Sequence, residues 1–93
     1  MIMNEKGGIN DDTVVSKYGD HVYMVINAGC KDKDLAHMKS VLETEFKNKD
    51  VKMTYKESDD ALIAVQGPKA AHIVEGITGV SFKKQLFMEG SRH

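Results

Sequence analysis

The chain has 93 residues, 41% of them hydrophobic, and its 13 basic and 14 acidic residues give a formal net charge of −1. That near balance argues against a nucleic-acid backbone or an anionic membrane surface as the partner, and no apolar run reaches the length that a bilayer requires. A chain of this size forms one small domain that buries only about 60–65% of its unfolded surface, so we expect modest stability.

The first third of the chain predicts three short strands. Residues 1–4 form the end of one strand, which leads into a bend at residues 7–8 (GG), and the β-branched side chains of 12–17 predict a second strand. Residues 18–20 (YGD) carry a hairpin signal. The run 21–27 (HVYMVIN) is apolar on both alternating faces, which predicts a central strand covered on both sides.

Two adjacent carboxylates, Asp11 and Asp12, lie where the second strand begins. Successive side chains of an extended segment point to opposite faces, so we expect that the two cannot both serve one pocket. A second interpretation is a turn in which the aspartates only cap local backbone amides. The residues themselves leave both interpretations open.

The next predicted element is a helix that begins after residues 28–30 (AGC), with Asp32 or Asp34 as its cap, and ends at residues 48–50 (NKD). Apolar side chains recur along it at helical spacing and form one stripe. The stripe consists of Leu35, Met38, Val41, Leu42 and Phe46.

The last part of the chain predicts two strands and a second helix. Residues 51–56 alternate between apolar and polar side chains, and the apolar run 61–65 (ALIAV) predicts a buried strand. Pro68 suits the first position of a helix that ends near Gly76 or Gly79. The predicted buried face of this helix consists of Ala70, Ile73, Val74 and Ile77.

The predicted order β-β-β-α-β-β-α indicates an α+β fold, a mostly antiparallel sheet with two helices on one face and of ferredoxin-like character. We interpret residues 1–93 as a single segment of this kind, with a tail at 81–93 that has no predicted partner strand and is expected to be loose. The tail also has no capping device, so we expect a partial domain. Uncovered sheet edges would then favour edge pairing and a homo-oligomer.

The single cysteine, Cys30, excludes an internal disulfide and favours a reducing, intracellular location. The histidines at 21, 37, 72 and 93 could be combined with Cys30 as metal ligands, but no pair has the spacing of a zinc site, and we predict no metal. Cys30 has no visible local base that would make it a nucleophile, so we interpret it as a half-buried apolar residue.

Five short segments of the chain stand in a characteristic order and spacing: residues 4–9 (NEKGGI), 11–12 (DD), 25–28 (VINA), 33–34 (KD) and 62–68 (LIAVQGP). Together they resemble the T-protein of the glycine cleavage system, a tetrahydrofolate-dependent aminomethyltransferase. Any one segment is a weak signal, but five in register are specific. The resemblance covers nearly the whole chain and a minor stretch of the longer family chain, so the chain is expected to be a fragment of a larger enzyme.

The resemblance implies a folate site. In that family the second aspartate of a Gly-Gly-x-x-Asp-Asp motif is placed at the reacting end of tetrahydrofolate, and it maps onto Asp12 as the catalytic residue. A folate-lining valine maps onto Val14, and the asparagine that ends the third strand maps onto Asn27, which would hold the folate or that carboxylate. The lipoylated H-protein would be the partner. The location would be the mitochondrial matrix in a eukaryote and the cytoplasm in a bacterium.

Some family positions differ or are missing. Asn10 replaces a usually apolar residue, and Ser16 stands where some members have a tyrosine. The family's opening segment and the later residues that complete the folate pocket are absent, and a pocket with one wall should bind folate weakly or not at all. We therefore predict that the isolated chain is catalytically inactive.

Two other functions stay open. The same superfamily includes the folate-binding parts of sarcosine and dimethylglycine dehydrogenases and non-catalytic iron–sulfur assembly factors. A ferredoxin-like sheet can also serve as a non-catalytic binding or dimerisation module, in which the aspartate pair is only structural. Folate binding that depends on Asp12 would separate these alternatives.

Overall fold

The computed structural model describes residues 1–56 and 60–92, and the chain divides into two compact units, Met1–Met53 and Thr54–His93. The first unit contains four strands, a short 3-10 helix at Ala28–Cys30 and helix α1 at Lys31–Thr44. Its strands are β1 (Ile2–Met3), β2 (Ile9–Asp11), β3 (Val14–Lys17) and β4 (Val22–Val25). The described part of the second unit contains helix α2 at Ala70–Thr78.

Strands β1 and β2 form an antiparallel hairpin that turns at the predicted pair of glycines. The Asn4 side-chain oxygen accepts hydrogen bonds from the backbone N–H groups of Lys6 (3.0 Å) and Gly8 (2.9 Å) and so holds the turn. Gly7 has a φ of +78°, a conformation that residues with a Cβ atom rarely adopt. The hairpin places Asp11 opposite Ile2, and both residues are buried.

Strands β3 and β4 form a second antiparallel hairpin, which confirms the signal at residues 18–20. A hydrogen bond from the Tyr18 N–H to the His21 carbonyl (2.9 Å) closes its turn. The prediction of a central strand at 21–27 is wrong, because β4 pairs with β3 alone in the described residues and Val22 is 61% exposed. An apolar pattern shows that a strand can be covered on both faces, but the cover has to come from other elements.

Helix α1 carries the predicted apolar stripe but has different ends. Its N-cap residue is Cys30, so the predicted cap at Asp32 or Asp34 is wrong. The helix ends at Thr44, before the predicted end. The Thr44 hydroxyl donates a hydrogen bond to the Ser40 carbonyl (2.9 Å), and such a bond to the carbonyl four residues earlier slightly destabilises a helix. Leu35, Met38, Val41 and Leu42 are half-buried, and Phe46 is exposed beyond the helix.

The two strands predicted at 51–56 and 61–65 do not form in the described residues, since positions 51–56 and 60–65 belong to no sheet. Alternating side chains indicate a preference for extended backbone. A strand, however, also needs a neighbour that completes its hydrogen bonds. The sequence pattern of these residues indicates the preference for extended backbone, but it does not supply the neighbouring strand.

Helix α2 begins at Ala70, so the prediction of Pro68 as its first residue is wrong, and Pro68 lies in the preceding turn. The predicted buried face is largely uncovered, because Ile73 and Ile77 are 52% and 79% exposed. After the helix, the Glu75 carboxylate accepts a hydrogen bond from the N–H of Phe82 (2.7 Å) and so orders the following turn.

The α+β class with antiparallel pairing is confirmed, because the described residues form two two-stranded antiparallel sheets and two α-helices. The division into a single segment over residues 1–93 and the loose tail at 81–93 stay predictions. Within residues 1–56 and 60–92, no helix combines the length and the apolar content that a membrane crossing requires.

Gly79→Ala is expected to destabilise α2 by about 1 kcal/mol, because Gly79 ends the helix with a φ of +72°. Gly76→Ala is the matched control. Gly76 lies inside the helix, and a Cβ atom added there would meet no described atom within 4 Å, so alanine should stabilise the helix by about 1 kcal/mol. Urea unfolding followed by far-UV circular dichroism measures both changes. Equal effects of the two substitutions would contradict the capping role of Gly79.

Candidate functional site

Asn27 binds the carboxylate of Asp11 through both its backbone and its side chain. The Asn27 N–H donates to Asp11 Oδ2 (3.0 Å), and Asn27 Nδ2 donates to Asp11 Oδ1 (2.9 Å). Asp11 ends β2, whereas Asn27 follows β4 in extended backbone with φ −74° and ψ 137°. Asp11 is only 5% exposed. The two hydrogen bonds from Asn27 hold the pKa of the Asp11 carboxyl well below its usual range, so Asp11 is ionised at neutral pH.

The same Asn27 amide also holds Asp12. Its Nδ2 atom lies 2.8 Å from Asp12 Oδ1 and 3.0 Å from the Asp12 carbonyl oxygen. The Asp12 side chain is exposed while Asp11 is buried, as expected for neighbours in an extended segment. Because β2 ends at Asp11, however, one amide nitrogen reaches both carboxylates. The interpretation of Asp11 as a cap for local amides is wrong, since its partner lies sixteen residues away.

Val14 lies on the hairpin that follows the aspartates. It begins β3 opposite Val25, which precedes Asn27 by two residues, and it is 50% exposed. The structure therefore joins Asp12 and Asn27 by hydrogen bonds and places Val14 on the strand that leaves Asp12.

Asp34, in the first turn of α1, is fully buried, with 0% of its surface exposed. One of its carboxylate oxygens lies within 4.8 Å of a carboxylate oxygen of Asp11. Burial raises the pKa of the Asp34 carboxyl, and the neighbouring Asp11 carboxylate raises it further. Sequence reasoning missed this residue, although a signal was present. Asp34 precedes Met38 and Val41 by four and seven residues, so it shares their apolar face and is expected to be buried.

The carbonyl oxygen of Asn10 connects β2 to the start of α1. It accepts hydrogen bonds from Lys33 Nζ (2.6 Å) and from the Cys30 thiol (3.7 Å). Burial and the nearby Asp11 carboxylate raise the pKa of the Cys30 thiol, so it stays protonated at neutral pH and is a poor nucleophile. The interpretation of Cys30 as a half-buried residue is confirmed.

Oxygen and sulfur atoms of Asp11, Cys30 and Asp34 lie within 4.8 Å of one another. Three such donors are fewer than the four of a structural zinc site, and the thiol is held in its protonated form. Of the histidines considered as ligands, His21 lies in the β3–β4 turn and His93 lies outside the described residues. The expectation that the chain binds no metal stays a prediction.

Comparison with known proteins gives a family and several relatives. The family model described as GCVT N-terminal domain matches residues 1–92. The chain is 44% identical over 88 residues to "Aminomethyltransferase, mitochondrial" of Solanum tuberosum, a match that covers 92% of this chain and 21% of the relative.

Proteins of the same name from Dictyostelium discoideum and Mus musculus are 44% and 40% identical over 92 and 89 residues. These matches cover 88% and 95% of this chain and 22% of each relative. The chain therefore spans about a fifth of the length of the curated relatives that it matches. No solved structure matches the chain.

Proposed function

We propose, on the basis that this chain belongs to the GCVT N-terminal domain family, that it forms one wall of the tetrahydrofolate site of an aminomethyltransferase. The observation that carries the proposal is the Asn27 amide, which lies 2.8 Å from the exposed Asp12 carboxylate and 2.9 Å from the buried Asp11 carboxylate. The buried, ionised Asp11 anchors the amide, and the amide holds the carboxylate that faces solvent. Asp12 is the residue that the family resemblance assigns to the reacting end of the folate.

The chemistry proposed for the complete enzyme starts from an aminomethyl group on the lipoyl arm of the H-protein. The carbon forms bonds to two folate nitrogens and becomes a methylene bridge, while its bonds to the amino nitrogen and to the lipoyl sulfur break. The two protons that the folate nitrogens lose leave with ammonia and with the lipoyl thiol. Positive charge develops on an iminium carbon, and the folate nitrogens change their protonation. A fixed Asp12 carboxylate stabilises that charge and orients a nitrogen or relays its proton, while Val14 lines the folate.

The complete activity is proposed only for the complete enzyme, because the chain spans about a fifth of its relatives. Asp12, Val14 and Asn27 are all exposed, which supports a single wall open to solvent. An open wall gives a ligand few contacts, so the isolated chain is expected to be inactive. The relatives named as mitochondrial support the mitochondrial matrix as the location in a eukaryote.

A transplant tests this proposal. Residues 1–93 replace the matching segment of the Solanum tuberosum aminomethyltransferase, to which the chain is 44% identical over 88 residues. We expect the hybrid to transfer the methylene carbon to tetrahydrofolate when lipoylated H-protein is supplied, and the isolated chain to be silent in the same assay. A folded hybrid without activity would overturn the proposal, whereas activity of the isolated chain would overturn the single-wall interpretation.

We also propose that the chain associates with itself through the β3–β4 hairpin. Each of these strands has one partner in the described residues, and Val15 and Val22 are 50% and 61% exposed. Such edges and apolar faces favour pairing between copies. Sedimentation velocity should show a dimer or larger species that Val15→Lys shifts toward monomer, while Ser40→Lys on the exposed side of α1 leaves it unchanged. A strictly monomeric profile of the unmodified chain would count against this proposal.

A further inference from the structure

The two buried aspartates of the first unit have unequal surroundings. Asp11 is 5% exposed, and Asn27 donates one hydrogen bond to each of its carboxylate oxygens. Asp34 is 0% exposed, and as a carboxylate neither of its oxygens has a hydrogen-bond partner in the described part of the chain. Two ionised carboxylates within 4.8 Å of each other would repel, and a buried charge without a partner is costly. One proton between the two groups removes both problems.

We propose that Asp34 keeps its proton at neutral pH and donates it to the Asp11 carboxylate, so that the two side chains share one proton and together fix Asn27 beneath Asp12. Asp34 is then a positioning residue. It acts on Asp12 through Asp11 and Asn27. The importance of this effect for folate binding or transfer rests on the function proposed above. The shared proton itself rests only on the burial and the contacts of the two carboxyl groups.

The charged groups around Asp34 support this assignment of the proton. From α1, Lys33 and His37 favour the ionised form of Asp34, but the Lys33 ammonium donates to the Asn10 carbonyl (2.6 Å). Burial and the Asp11 carboxylate favour the protonated form, and they outweigh the two basic groups, so the pKa of Asp34 is raised. The Cys30 thiol, whose sulfur lies within 4.8 Å of a carboxylate oxygen of Asp34, is protonated and adds no charge. Surroundings that push the pKa values of two neighbouring acids apart assign the proton to the acid with the raised value.

The pair predicts a stability optimum with a separate cause on each side. A group whose pKa is raised on folding stabilises the folded chain below its unfolded pKa and loses that contribution as the pH rises through the folded pKa. Asp34 is such a group. Asp11, whose pKa is lowered, contributes above its unfolded pKa and loses the contribution as the pH falls through the folded one. Asp34→Asn replaces the O–H donor by an N–H donor that cannot ionise. It should therefore remove only the loss of stability that occurs as the pH rises above the optimum, through the folded pKa of Asp34.

Carbon-13 NMR of the aspartate carboxyl carbons, followed through a pH titration of the 93-residue chain, tests the proposal. We expect one aspartate that stays protonated above the ordinary aspartate range. Its signal should be absent in Asp34→Asn and present in Asp32→Asn, the same substitution in the same turn of α1. Ordinary titration of every aspartate in the unmodified chain would overturn the proposal, and this result does not depend on whether a variant folds. A Zn²⁺ titration that shifts the Asp11 and Asp34 carbons together at micromolar metal would overturn it in favour of a cation.

The hybrid enzyme separates this inference from the proposed function. Asp34→Ala should lower turnover about tenfold, as expected for the loss of one hydrogen bond to a charged group, and Asp34→Asn should recover most of that loss. Equal activity of the two variants would contradict the positioning role. If the NMR titration shows the shared proton but the unmodified hybrid is inactive, the folate function fails and the shared proton stands.

Discussion

In the hybrid aminomethyltransferase that carries residues 1–93, Asp12→Asn is expected to lower turnover by about 10²–10³-fold, the usual cost of removing one preorganised electrostatic group. The substitution keeps the size of the side chain and removes its negative charge. The charge is the property that the proposed mechanism uses, because positive charge develops on the carbon that is transferred. The Asn27 amide, 2.8 Å from Asp12 Oδ1, holds the side chain in one position before the reaction begins.

The measurement is steady-state turnover of the hybrid with lipoylated H-protein and tetrahydrofolate, beside calorimetric binding of a stable reduced folate. Asp20→Asn is the control, since Asp20 is an exposed aspartate in the β3–β4 turn of the same unit. A loss confined to turnover would support an electrostatic role, and a loss confined to folate affinity would support a binding role. Unchanged turnover and affinity in Asp12→Asn would show that the aspartate pair is only structural.

Asn27→Ala is expected to lower the free energy of unfolding by about 2 kcal/mol, because it removes the amide that binds both aspartates. This is a large fraction of the roughly 5–15 kcal/mol that stabilises a typical domain. The pKa of Asp11 should move back toward its ordinary value, since the side chain of Asn27 supplies the largest part of its lowering. The backbone N–H of residue 27 still donates to Asp11 Oδ2, so part of the effect remains.

Urea unfolding at neutral and at acid pH measures this change. The lowered pKa of Asp11 adds stability above its unfolded pKa, and that stability is lost as the pH falls. The difference between Asn27→Ala and the unmodified chain should therefore be large at neutral pH and shrink in acid. Asn48→Ala, at an exposed position after α1, is the control and should change little. A pH-independent difference would mean that Asn27 stabilises the chain without acting on Asp11.

Local features of this chain follow from local residues. The Gly7 bend, the turn at 18–20 and the apolar stripe of α1 depend on backbone freedom and on side-chain spacing over a few residues, and these can be recognised in the sequence. Asp12 and Asn27 were found through a family resemblance, which carries information from many chains. The folded chain joins the two side chains by a hydrogen bond, and their roles toward folate stay predictions.

Contacts between distant residues had to be observed in the folded chain. Asp11 meets Asn27 across sixteen positions, and Asp34 meets Asp11 across β2 and α1, so neither pairing has a local pattern. The predicted strands at 51–56 and 61–65 failed for the same reason, because a preference for extended backbone does not supply a neighbouring strand. The burial of a side chain also depends on contacts between residues that are distant in the sequence. The charge of Asp34 suggested a helix cap in contact with solvent. Packing of α1 instead places that side chain in the interior, where burial favours its protonated form.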